Sequence, residues 1–174
     1  RVASFLEIQQ VSAFNAIKAL EFKIEELVRA GDLPASLLPQ GGQAAAPESS
    51  NTDAAAAAEQ GKQEIVPQPI PALVMQYITA IDRFVVLDFK PEEPALDARL
   101  AFQAAKILYD YRHFKDARRR FDWIIANYNT TQPEKEIASF SASLMLETYR
   151  LERDYEGLSA AAARLKATID LPEV

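Results

Sequence analysis

Few side chains in this 174-residue chain are equipped for chemistry. The only histidine, His113, has no second histidine to join it, and the chain contains no cysteine. Zinc sites draw three or four imidazole, thiolate or carboxylate ligands together, so His113 reads as a turn residue and no metal ligand is assigned. A serine nucleophile needs a base within reach and oxyanion donors, and no nucleophile elbow accompanies the histidine. Paired carboxylates occur at Glu25-Glu26, Glu92-Glu93 and Asp110/Asp116. Acid–base work requires environments that split their pKa values; these lie beside other charges or at helix ends and read as solvated faces. Gly41-Gly42 falls in low-complexity sequence rather than at a strand-to-helix turn, so no phosphate loop is read and no cofactor is expected. The chemistry excludes more than it offers, and the expectation is a protein that is not an enzyme.

The sharpest charge feature is the basic run Lys115, Arg118, Arg119, Arg120, which could grip an acidic peptide or a phosphate. Asp110, Asp116 and Asp122 lie within a turn or two, and pairing at three- and four-residue spacing would neutralise much of it. The formal net charge of −6 argues against nucleic acid and anionic lipid, leaving protein or peptide partners. Without cysteine the redox compartment stays open. No apolar run approaches the roughly 18–20 residues that span a bilayer, so no membrane span is expected in this stretch. The first residue is Arg1 rather than methionine, so any signal or anchor is expected outside it. Asn129-Thr130-Thr131 fits a glycosylation sequon that matters only in a eukaryotic secretory host, and reads as a plain loop.

The elements that would position these groups are helical. Over residues 2–30, Val2, Phe5, Leu6, Val11, Phe14, Ile17, Leu20, Ile24, Leu27 and Val28 recur every three or four positions, which predicts one long amphipathic helix. Gly31 stands where a left-handed C-terminal cap is wanted, closing a first unit at 1–31. Residues 40–70 carry Gly41-Gly42, an alanine tract at 54–58 and Pro67 and Pro69, with Pro71 just after them. They read as a low-complexity flexible linker over 40–63, with 66–71 extended. Residues 71–170 form the helical domain, with helices expected over 72–87, 96–111, 114–128, 134–151 and 155–169.

These helices repeat. Ala80 and Phe84 recur as Ala117 and Phe121, an offset of 37 (117 − 80), and Phe114-x-x-Ala117 returns as Tyr155-x-x-Leu158, an offset of 41 (158 − 117). The run Ala101-x-x-x-Ala105-x-x-Leu108, a short turn, then Phe114-x-x-Ala117-x-x-x-Phe121-x-x-Ile124 resembles one tetratricopeptide repeat. A second copy spans Ala142 to Leu165, with Ala162 where a large residue is expected and Leu158 where a small one is. Ala105 replaces a glycine common in the family's first helix, and Asn129 its closing proline. The resemblance covers roughly residues 72–169. It implies an all-α fold of about two and a half stacked antiparallel helical hairpins, with the long N-terminal helix in place of a missing first helix. The repeat length and the aromatic turn Tyr111-Arg112-His113-Phe114 are similar to bacterial cell-envelope members, of outer-membrane assembly or gliding-motility type, which favours a periplasmic or envelope location over the cytoplasm.

In that family the first helix of each hairpin lines a concave groove. Carried over by position, the resemblance implies a groove of Arg99, Phe102, Gln103, Lys106, Tyr109 and Asp110, facing Phe140, Ser143, Leu144, Glu147, Arg150 and Leu151. Aromatic and arginine side chains suit a peptide groove. Phe102, Tyr109 and Phe140 serve equally as core against a neighbouring helix. The residues with which chaperone-binding members clamp a terminal carboxylate have no match here. The expected function is a scaffold that holds a protein or peptide within a multiprotein assembly. The alternative is a self-associating element whose residues 1–31 pack on or swap to another protomer.

Overall fold

A computed structural model of the chain describes residues 5–37, 65–87 and 93–168. Among these the elements are α1 (Phe5–Ala30), a 3-10 turn (Ala35–Leu37), α2 (Ala72–Val86), α3 (Leu96–Asp110), α4 (Phe114–Asn127), α5 (Gln132–Leu151) and α6 (Tyr155–Thr168), with no strand. The expected linker over 40–63 lies outside the described residues, as do the first residues expected in α1 and the last expected in α6.

The fold is all-α, each helix packing on the next, and α3 also meeting α5. Helix α1 lies on α2 within the same chain: Phe14 meets Phe84 with ring centroids 5.8 Å apart. The Glu21 carboxylate lies close enough to act on the Tyr77 hydroxyl. Early α1 thus meets late α2, so the two run in opposite directions. Phe102 meets Phe121 at 6.1 Å and Tyr109 meets Phe114 at 5.6 Å, which sets α3 against α4 in the same way. The α3–α4 contact is closed by small residues: Ala101, Ala104, Ala105 and Ala117 are all buried, and Phe121 fills the space they leave. Small side chains permit interaxial distances of about 8 Å, where Phe and Ile then interdigitate.

Helix ends explain the turns. Gly31, Arg112 and Arg153 adopt left-handed φ values of 85°, 62° and 55° just past α1, α3 and α5. At each, the following amide reaches back to seal the helix: Asp32 N–H to Leu27 O at 2.9 Å, His113 N–H to Leu108 O at 2.8 Å, Asp154 N–H to Tyr149 O at 2.9 Å. These are left-handed C-terminal caps, two of them built without glycine. Helix α5 starts at Gln132, two residues before the expected 134, because Pro133 occupies the first turn, where its missing N–H costs nothing. The Glu134 carboxylate accepts from the Thr131 amide at 3.0 Å in a capping box.

Two sequence readings need correction. The stripe over α1 does not form one face: Ile17 and Ile24 are buried, whereas Phe5 and Val11 are exposed on other sides of the helix. The basic run of α4 is not neutralised mainly within its own helix. Only Arg119 pairs locally, with Asp116 at 3.5 Å. Arg120 grips Asp82 of α2 with both nitrogens, at 2.5 and 2.7 Å. Arg118 reaches Glu152 at 2.6 Å and lies 4.4 Å from the Tyr149 ring centre. Two of its four cations, Arg118 and Arg120, thus hold neighbouring helices together.

Candidate binding face on α3 and α5

The twelve residues singled out by position divide between two helices that touch, α3 and α5. The structure draws six of them to one end: Lys106, Tyr109, Asp110, Glu147, Arg150 and Leu151. The Tyr109 hydroxyl is pushed up first by burial, then by the carboxylates of Glu147 and Asp110, while Arg150 opposes them. Tyr109 of α3 therefore lies within electrostatic reach of Glu147 and Arg150 on α5. Arg150 donates two bonds to Glu147, at 2.7 and 2.6 Å, which fix its guanidinium. Lys106 donates to Asp110 at 2.8 Å, one helical turn on. Burial lifts the Asp110 carboxyl above its usual range, with Lys106 pulling the other way.

Tyr109, Asp110 and Leu151 line a cleft of about 310 Å³ together with Ser36, Arg112 and Phe114. Ser36 comes from the 3-10 turn that follows α1, and Arg112 from the left-handed turn after α3. Neither was legible as a site residue, because both reach it through backbone turns. His113, the N-cap of α4, does not enter this cleft. Its Nε2 lies 2.8 Å from the carbonyl of Gln68, whose own amide donates to Tyr111 O at 2.8 Å. The segment before α2 is thereby tied to the α3–α4 turn.

The remaining predicted residues disperse. Phe102 turns inward on Phe121, and Leu144 packs partly against the core. Gln103 is half-buried. Arg99 is tied to Glu93 at the start of α3. Phe140 is exposed, and Ser143, also exposed, bonds back to Ser139 O at 3.1 Å. Of the three aromatics open between groove and core, Phe102 is largely core, Tyr109 is shared, and Phe140 faces water.

A second concavity went unnoticed in the sequence. Between α2 and α4 opens a space of about 600 Å³, floored by Ile78 and Ile124 and rimmed by Met75, Val86, Trp123 and Arg119. Met75, Val86 and Trp123 give its rim exposed apolar side chains, and the Asp82–Arg120 bridge lines it. Among the described residues no group of three His, Cys, Asp or Glu side chains gathers to hold a metal. None of the helices described there is long and apolar enough to cross a membrane.

What the described residues define is an all-α protein of six packed helices. Compared with known proteins, the chain matches no family model, no curated protein and no solved structure.

Proposed function

We propose that this chain is a non-catalytic interaction scaffold, built of tetratricopeptide-like stacked hairpins, that holds an extended or helical segment of a partner protein against the α3/α5 face. The observation that carries the reading is the convergence of Tyr109, Asp110, Glu147, Arg150 and Leu151 beside an open cleft. An aromatic ring, a fixed guanidinium and an aliphatic edge supply the anchor, the bidentate donor and the apolar contact that peptide recognition uses. Support for the repeat comes from the turns: the bonds Arg112 N–H to Tyr109 O and His113 N–H to Leu108 O recur 41 residues on as Arg153 N–H to Arg150 O and Asp154 N–H to Tyr149 O. The same offset relates Tyr155 to Phe114 in sequence.

The test is to select displayed peptides on the immobilised chain and titrate the enriched sequences by calorimetry. Loss of Tyr109 or Lys106 to alanine should weaken binding about tenfold or more, in line with truncation of an interface anchor. Peptides whose affinity neither substitution changes would remove the groove from consideration.

A further inference from the structure

The side of α1 turned away from α2 leaves large apolar side chains exposed. Its inner side is occupied: Ile17 and Ile24 are buried, and Phe14 rests on Phe84. On the opposite side Phe5, Ile8, Ser12, Asn15, Ala19 and Phe22, all exposed, follow one another at spacings of 3, 4, 3, 4 and 3 residues. That is the seam of a two-stranded coiled coil, on a helix whose cis contact already uses the other face. Phe5, Ile8, Val11 and Phe22 are 76%, 54%, 57% and 61% exposed.

We infer that this seam pairs antiparallel with the same seam of a second copy of the chain, giving a two-fold dimer. The order of residues is self-complementary in that direction. Phe5 meets the partner's Phe22, Ile8 meets the partner's Ala19, and Ser12 meets the partner's Asn15, after which the three layers repeat in reverse. Large faces small at Ile8, and the two polar layers sit at the centre, where a buried polar pair fixes register. Parallel pairing stacks Ala19 on the partner's Ala19 and sets Lys18 against the partner's Lys23, five residues on, where like charges repel. Antiparallel pairing removes that clash and brings Glu7 near the partner's Lys18.

Size and charge both favour a second copy as occupant. The four exposed apolar side chains offer on the order of 450 Å² per chain, given roughly 150–250 Å² for a fully exposed aromatic and somewhat less for an aliphatic. Doubled, and with the flanking seam residues added, this reaches about 1,000 Å², the lower edge of specific interfaces. An interface of this size belongs with weak, transient association. A lipid surface fits poorly, because α1 carries Glu7, Glu21, Glu25 and Glu26 against Lys18, Lys23 and Arg29.

The full chain lacks cysteine, so introduced thiols report unambiguously. Sedimentation velocity on a rising concentration series should carry the mass from 19.3 kDa toward twice that value. Phe22→Glu and, separately, Ala19→Arg should each restore the monomer while the circular dichroism spectrum stays that of the parent. Mixed Ile8→Cys and Ala19→Cys chains should oxidise to the 8–19 heterodimer and give little 8–8 product, since those positions stand about 16 Å apart at 1.5 Å per residue in the inferred register. A monomer at every concentration, a dimer that survives both seam substitutions, an 8–8 crosslink as main product, or a monomer that floats with lipid vesicles would each overturn the inference.

Discussion

Replacing Gly157 with alanine should destabilise the protein, against the usual rule for helices. In a helix interior the exchange gains about 0.5–1 kcal/mol, because glycine loses more backbone entropy on folding. At Gly157 a Cβ would stand 2.8 Å from Tyr149 Cδ1 and Cε1 and 2.8 Å from Asp154 Oδ2. Neither neighbour is free to yield. The Tyr149 ring lies 4.4 Å below the Arg118 guanidinium, which Glu152 holds at 2.6 Å and Thr148 at 3.2 Å. Asp154 accepts the Gly157 amide at 3.2 Å and so caps α6. Forcing a methyl into a packed contact costs about 1–3 kcal/mol, which outweighs the backbone gain and leaves a net loss of up to roughly 2.5 kcal/mol. At about 2–4 °C per kcal/mol for a domain of this size, the midpoint should fall by up to roughly 10 °C. Thermal unfolding followed by circular dichroism measures this directly. On a Tyr149→Ala background the loss should shrink, since the ring is gone and only the Asp154 contact remains. A raised midpoint in the parent, or an equal loss on the Tyr149→Ala background, would refute the reasoning.

Further outcomes follow from the same contacts. The Tyr77 hydroxyl is buried without a hydrogen-bond partner among the described residues, and burial with the Glu21 carboxylate pushes its pKa far up; Tyr77→Phe should therefore leave stability unchanged or raise it by up to about 1 kcal/mol in urea unfolding. Arg118→Met keeps the apolar stem but loses the bonds to Glu152 and Thr148 and the contact with Tyr149, and should cost about 1–3 kcal/mol in the same assay. Glu134 is held below its ordinary value of 4.5, first by the Thr131 amide. A lowered folded pKa means that its contribution is present above pH 4.5 and is lost as pH falls through the folded value. Glu134→Gln should thus lower the melting temperature at pH 7, and the gap to the parent should shrink below pH ~4. Gly31→Ala, at φ 85° with nothing within 4 Å of the added methyl, should cost about 1 kcal/mol through backbone strain alone.

The helices were legible because their apolar spacing and their stop signals agree. Alternation of small and large residues foretold the α3–α4 contact, and Ala101, Ala104, Ala105, Ala117 and Phe121 are buried in it. What the sequence hid depends on geometry between elements. Periodicity identifies an apolar residue but not which of two opposite faces it joins, so Phe5 and Ile17 fell into one stripe. Charge spacing shows local pairs, whereas Arg118 and Arg120 find partners 34 and 38 residues away. In the candidate face, repeat position named Tyr109, Asp110, Glu147, Arg150 and Leu151, which lie together, but it could not turn Phe102 inward or add Ser36 and Arg112, which arrive through turns. The α2/α4 concavity was invisible for the same reason: its rim residues Met75, Val86 and Trp123 are ordinary helix residues until two helices splay apart.

The scaffold reading is tested most directly by mapping amide chemical shifts of the labelled chain during titration with a selected peptide. It predicts that the largest shifts gather over residues 106–112 and 147–151, with Ser36 among them. Shifts gathered instead at Met75, Val86 and Trp123, leaving Tyr109 and Arg150 unmoved, would contradict it.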